Sequence, residues 1–275
     1  MTHSYLVLYD FSSYARQALR VAHQWSLWTG ADVHLLHNLE AAYIPAMANQ
    51  EVRQQVEAGS RSEAFNKLQR DYEDVTGKPI RPERVHISIA SFTSAIQKLV
   101  RKHHTQLLFA GLKGNGVLKR IFIGSTILKL LEQTITPVVA IPKKIHEFKH
   151  LTLHVAVSYH YAFSSTHLRQ ILQLMGQKIK ALVFISVLTK DDDRQRATYH
   201  LAKLEDSFSE QAAVTSRLFE GNDPFALVKA YMIEQEDGVL VAQRGSRALS
   251  DHLFREFFIN ELVHDASSPL IILPS

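Results

Sequence analysis

The segments Thr136-Pro137-Val138-Val139-Ala140-Ile141-Pro142 and Ser268-Pro269-Leu270-Ile271-Ile272-Leu273-Pro274 carry one pattern twice, 132 residues apart. A proline on each side interrupts hydrogen-bonded structure, and the short apolar run between them suits a strand buried on both faces. In a chain of 275 residues, such a repeat points to two similar units of ordinary domain size. What precedes each copy agrees. In the first half a mostly apolar strand ends at Asp10, Ser12 is placed to cap a helix, and Ala15, Ala18, Leu19, Ala22 and Trp25 recur at helical spacing before Thr29-Gly30 stops it. A second strand follows at 33–39. Residues 40–78 are too long for a simple connection, so a mobile leading segment and then a long polar helix are expected. Residues 83–89 alternate as a third strand, 94–104 form a helix, and 106–109 give a fourth strand.

The second half repeats the plan, with strands predicted at 153–158, 181–188, 214–219 and 238–242 and helical stretches at 165–175, 189–211 and 224–233. Alternation of strand and helix predicts an α/β fold of two tandem, doubly wound, parallel five-stranded sheets. The expected domains are 1–144 and 151–275, joined at 143–150. The last strands of the two halves are candidates for pairing with each other inside the chain, which leaves further homodimerisation open.

Composition narrows the setting. Apolar residues make up 46% and charged residues 21%, a balance suited to a substantial core. There is no cysteine, so disulfides and thiol catalysis are excluded. The chain starts directly on a strand pattern, and no apolar run approaches a membrane span, so a cytoplasmic protein without membrane contact is expected. Residues 1–147 hold 18 basic and 12 acidic residues, and residues 148–275 hold 13 and 15. The basic residues are scattered apart from those at one glycine run, with no basic stripe in an aromatic or helix-turn-helix setting, so nucleic acid is not an expected partner.

That glycine run follows the fourth strand: Ala110-Gly111-Leu112-Lys113-Gly114-Asn115-Gly116, continuing to Gly124-Ser125-Thr126 and the apolar, helix-favouring residues 127–132. Glycines let backbone amides approach an anion, and a helix N-terminus presents unpaired N–H groups and a positive dipole end. Lys113, Lys119 and Arg120 add charge of the matching sign. A cradle for a nucleotide phosphate chain is the simplest reading. Two common phosphate loops do not fit. Gly111 and Gly116 have the Walker A separation, but Val117-Leu118 stands where Lys-Ser/Thr belongs, and Lys119 stands where a dinucleotide loop has its third glycine. What remains is Gly-x2-Gly-x9-Gly-Ser.

This pattern resembles the nucleotide loop of the universal stress protein family, in its ATP-binding subgroup. The first strand with Asp10 and the helix at Ala15-Arg16-Gln17-Ala18-Leu19, the second strand Val33-His34-Leu35-Leu36-His37-Asn38, and residues 136–142 resemble the family over about residues 3–144. The resemblance implies that Asp10 contacts the adenosine part of a nucleotide, together with the backbone of Asn38. It implies Ala110 beside the base or ribose, and Gly111, Lys113, Gly114, Gly124, Ser125 and Thr126 around the phosphates. The implied cofactor is ATP, with ADP and AMP as alternatives and Mg²⁺ carried by the phosphates. Where Lys113 stands the family often carries His or Arg, so the charge is kept.

The second half departs from this pattern. Ser158 falls near the counterpart of Asp10, and Glu256-Phe257 replaces Gly124-Ser125, so one competent nucleotide site is expected, in the N-terminal half. The fifteen histidines show no metal-ligand spacing, and no metal site is expected; His103-His104 reads as a helix end facing its dipole. No Gly-x-Ser-x-Gly elbow and no paired carboxylates accompany the loop, so no catalytic residue is assigned and hydrolysis would at most be slow. The resemblance implies a stress-response protein regulated by bound ATP and acting on an unidentified protein partner. The alternative is a stress-response scaffold without nucleotide.

Overall fold

The computed structural model describes residues 3–39, 50–89, 91–112, 134–244 and 268–274. The expected leading segment before the long helix, at 40–49, therefore lies outside the described residues, as do Lys113, Gly114, Gly124, Ser125, Thr126 and the Glu256-Phe257 pair. The chain separates into two compact units, residues 1–133 and 134–275.

In the first unit, strands β1 (Ser4–Leu8), β2 (Asp32–Asn38), β3 (Val85–Ser88) and β4 (Thr105–Gly111) pair in parallel in the order β3-β2-β1-β4. Helices α1 (Ser13–Thr29), α2 (Gln50–Thr76) and α3 (Phe92–His103) connect them. From β1 to β3 the chain steps outward in one direction, then it returns across β1 to β4. With right-handed crossovers, that reversal puts α3 on the face opposite α1 and α2.

Helix α1 shows why these residues take these positions. The Ser12 hydroxyl accepts from the Ala15 N–H at 3.1 Å, and Gly30, at φ 72°, closes the other end by donating to the Ser26 carbonyl. Its buried stripe includes Ala15, Ala18, Leu19, Ala22 and Trp25, and the Trp25 ring meets Phe109 of β4 edge-on at 5.4 Å. Helix α2 buries only Ala64, Leu68 and Tyr72, four residues apart on one face of its C-terminal half. Polar ties fasten it, since Tyr9 donates its hydroxyl to Asp71 at 2.9 Å and Arg16 pairs with Asp74 at 3.2 Å.

The second unit has strands β5 (Val138–Ile141), β6 (Leu151–Ala156), β7 (Ile179–Leu188), β8 (Ala213–Glu220), β9 (Gly238–Gln243) and β10 (Leu270–Leu273). Their order is β5-β10-β9-β6-β7-β8, parallel except where β5 meets β10 antiparallel. Helices α4 (Ser165–Met175), α5 (Arg194–Phe208) and α6 (Pro224–Ile233) follow the same succession as α1 to α3. The sequence repeat assigns 136–142 to the first copy, and in the structure this strand forms the antiparallel ladder Leu270–Ala140, Ile271–Val139 and Ile272–Val138 with its counterpart from the second copy. The α/β class of both halves is as the sequence predicts.

His154 of β6 is 1% exposed; its Nδ1 shares a hydrogen bond with the Tyr231 hydroxyl at 3.1 Å, and its Nε2 has no partner. Burial lowers its pKa to about 4. Because the unfolded imidazole titrates near ~6.5, the unfolded chain takes up the proton first. The contribution to stability is complete above that pH and is lost as pH falls towards the folded value. Between pH 7.5 and 5 this group should cost the wild-type chain about 2 kcal/mol. Urea unfolding at both pH values should find that increment missing in His154→Phe.

Candidate functional site

Parallel strands leave their C-terminal ends open, and ligands of such sheets bind where the strand order reverses. In the first unit that place lies between β1 and β4. The register pairs Leu8 with Ala110, so Asp10 follows the end of β1 and Gly111 ends the neighbouring strand. Asn38 closes β2 and pairs in register with Ser88. The structure thus brings Asp10, Asn38, Ala110 and Gly111 to one edge of one sheet.

Their local roles are specific. Asp10 accepts through Oδ1 from the Ser12 N–H at 3.0 Å, forming a tight turn into the helix cap. Between them Phe11 has φ 61°, a left-handed conformation uncommon for a bulky residue. That turn directs the Phe11 ring over His37, with centroids 4.6 Å apart, and beneath the Lys67 ammonium, 4.2 Å from its centroid. His37 donates from Nδ1 to the Tyr9 carbonyl at 2.8 Å. Burial pushes the His37 imidazole below its ordinary pKa, partly offset by that bond and by Asp10. Burial and the adjoining Asp71 carboxylate push the Tyr9 phenol well above its ordinary range. An aromatic wall of Phe11 and His37, with a cation above it, therefore stands beside Asp10. Sequence reasoning missed this wall because Phe11 looks like an ordinary loop residue; its backbone conformation is a tertiary property.

Gly111 has a definite steric reason. A Cβ at this position would lie 2.5 Å from the Tyr14 Cβ, 2.7 Å from the Tyr14 carbonyl carbon and 2.9 Å from the Ala15 nitrogen. The start of α1 therefore rests directly on the end of β4, which requires a residue without a side chain. This packing role adds to the expected part in a phosphate loop. Lys113, Gly114, Gly124, Ser125 and Thr126 lie outside the described residues.

The second unit puts different groups at the corresponding edge. Its register pairs Ala156 with Ala242, so Gln243 takes the position of Gly111 and Ser158 that of Asp10. The Gln243 side chain accepts from the Ser164 N–H at 2.7 Å. Tyr159 donates to Asp192 at 3.0 Å, while Thr189 donates to the same carboxylate from its N–H at 2.6 Å and from its hydroxyl at 2.8 Å. His160 also bonds Asp192. Burial of Asp192 would raise its pKa, but these bonds outweigh it and hold the carboxyl well below the usual range. This edge is knit together by its own side chains.

A separate cluster sits elsewhere in the first unit. His34 of β2, His86 of β3 and His103 at the end of α3 place one nitrogen each within 4.8 Å of one another. Burial first, then the neighbouring charged and imidazole groups, lowers the pKa of His34 to about 3 and of His86 to about 4, and lowers that of His103. Sequence spacing could not reveal the group, since its members are 52 and 17 residues apart on three elements.

For Gly111→Ala, the clash with backbone atoms of α1 should destabilise the chain by about 1–3 kcal/mol. Chemical unfolding without nucleotide should register that loss, whereas a wild-type midpoint would show that α1 can retreat without strain.

The profile of the universal stress protein family matches residues 1–142, just over half of the chain. No curated protein matches the chain. Among solved structures, a universal stress protein from Archaeoglobus fulgidus is 17% identical with a TM-score of 0.63, covering 98% of this chain and 96% of that one. A functionally unknown protein from Pseudomonas aeruginosa is 15% identical with a TM-score of 0.56, covering 98% and 92%. At such identities the likeness concerns the fold. Among the described residues no helix is long and apolar enough to cross a membrane. With its family match over the first half and a fold repeated in the second, the chain belongs to the universal stress protein family in its tandem two-domain form.

Proposed function

We propose that the first unit binds an adenine nucleotide, ATP with Mg²⁺, and that the bound nucleotide regulates a stress-response role, with at most slow hydrolysis. The observation that supports this most is the placement of Asp10 and Gly111 at the ends of adjacent strands where the sheet order reverses. The run Gly-x2-Gly-x9-Gly-Ser starts at that same Gly111.

The donor and acceptor set suits such a ligand. Asp10 supplies an acidic acceptor for the adenosine part, with the Asn38 backbone and Ala110 close by on the same edge. The loop amides of Gly111, Gly114 and Gly124, the hydroxyls of Ser125 and Thr126, and the Lys113 ammonium would face the phosphates. ATP would contribute its phosphate chain and its own Mg²⁺. Among the described residues Asp10 is the acid read at this edge, and a carboxylate tied into a turn is a poor basis for rapid water activation. In the second unit, Gln243 in place of glycine and the self-bonded Asp192 corner favour one site per chain.

A nucleotide-free interaction protein is the second reading. It is favoured by the fact that Asp10 and Gly111 already have structural work, one bonded to Ser12 and the other beneath Tyr14.

Calorimetric titration of Mg²⁺-ATP into the full chain distinguishes the two. About one nucleotide should bind per chain, and Gly124→Glu, which copies the second half's carboxylate, should weaken binding by at least about 100-fold. A folded wild-type chain that takes up no ATP, ADP or AMP would establish the interaction-protein reading instead.

A further inference from the structure

We propose that His34, His86 and His103 form a binding site for a first-row divalent metal ion, with zinc as its first candidate. The site is separate from the nucleotide edge. His34 lies four positions before Asn38 on β2, on the order of 13 Å along an extended strand.

The topology assembles the three ligands. In register, His86 stands opposite Leu36, so His34 and His86 are diagonal neighbours on the same face of two adjacent parallel strands. Helix α3 crosses that face and ends there. Its last turn delivers His103, whose carbonyl accepts from the Ser4 hydroxyl at 2.8 Å, fixing the helix end to β1. The ligands therefore rest on two strands and an anchored helix end, the rigid support a metal site needs.

Two of the three ligand nitrogens already meet, through a shared hydrogen bond. His34 Nδ1 and His86 Nε2 are 3.0 Å apart. Two imidazole nitrogens on tetrahedral zinc, each at about 2.0–2.1 Å, would be about 3.3 Å apart. One nitrogen from each of the three rings lies within 4.8 Å of the others, so rotation of the rings about their side-chain bonds would have to bring all three to bonding distance. The His34 and His103 rings are 4.2 Å apart between centroids. His103 Nε2 is buried without a hydrogen-bond partner. An unsatisfied buried polar atom costs about 1–3 kcal/mol. His154 Nε2 bears the same cost, but His103 Nε2 alone among the orphaned nitrogens of the described residues belongs to a ring with two further imidazoles in reach.

The donor set selects the metal class. Three neutral imidazoles suit zinc, nickel or copper, and a hard cation such as Mg²⁺ would prefer oxygen. In binding, the proton shared by His34 and His86 moves to the far nitrogen of one ring, so no net proton need be released. Three protein ligands leave a fourth position for water. A surface cavity of about 400 Å³ adjoins His34 and His103, and its walls include Asp32 and Glu83 along with Arg81, Arg84 and Lys102. Arg84 is paired with Asp32, which moderates its opposition to an incoming cation.

The test is zinc titration of the chelator-treated, untagged full chain, followed by calorimetry and by the visible spectrum of the cobalt(II) form. One ion per chain should bind, and cobalt should give the intense ligand-field band of a tetrahedral site. His86→Gln and His103→Gln should each weaken zinc binding by more than about 100-fold, more than loss of a supporting hydrogen bond costs. Unfolding midpoints of the metal-free variants should establish that they are folded. His150→Gln should bind as wild type, since it alters a different histidine, 3.3 Å from Asp237 in the second unit. Absence of zinc and cobalt binding by the wild-type chain would overturn the proposal. So would binding unchanged in folded His86→Gln and His103→Gln.

Discussion

Strand β1 is bonded on one edge to β2 and on the other to β4, and every one of its residues is buried. Burial on both faces needs helices on both faces, and neighbours on both edges need the chain to leave β1 in one direction and later return on the other. That central position creates the reversal of strand order at which Asp10 and Gly111 meet. It also demands close packing. Phe109 of β4, fully buried, contacts Tyr5 of β1 at 5.3 Å and Trp25 of α1 at 5.4 Å, so one aromatic group joins two strands and a helix.

The second unit repeats the scaffold around β6, which pairs with β7 and β9, but changes the chemistry of its open edge. At Gly111 the absence of a side chain lets α1 lie on the strand end. At Gln243 a side chain reaches the Ser164 N–H at the start of α4. Each solution satisfies the chain locally. One keeps an acidic residue and an aromatic wall beside a glycine run, and the other spends its acidic group on Tyr159, His160 and Thr189. Similar backbones thus support different surfaces, as expected when function resides in sites grafted on a common fold.

Strand β2 shows how much chemistry one element can carry. Near its start His34 turns to His86 and His103, and near its end His37 turns to the Tyr9 carbonyl and the Phe11 ring. Three residues along a strand reverse the side-chain direction. The two histidines therefore face opposite sides of the sheet, in environments that the sequence Val33-His34-Leu35-Leu36-His37 does not distinguish.

The sequence by itself determined the α/β class, the repeated unit and most elements, because hydrophobic period, helix caps and proline punctuation are local signals. Pro224 to Ile233 and Ser165 to Met175 are helices with the expected bounds, and the long polar helix stands at Gln50–Thr76. Its glycine pattern also carried the family, which the profile match over 1–142 supports. The strand expected at 153–158 instead runs from Leu151 to Ala156, since its ends are set by pairing with β7 and β9. Tertiary structure alone decided the left-handed turn at Phe11, the steric demand at Gly111 and the meeting of His34, His86 and His103. Each depends on atoms distant in sequence that only the packing of strands and helices brings together, and no local periodicity records that proximity.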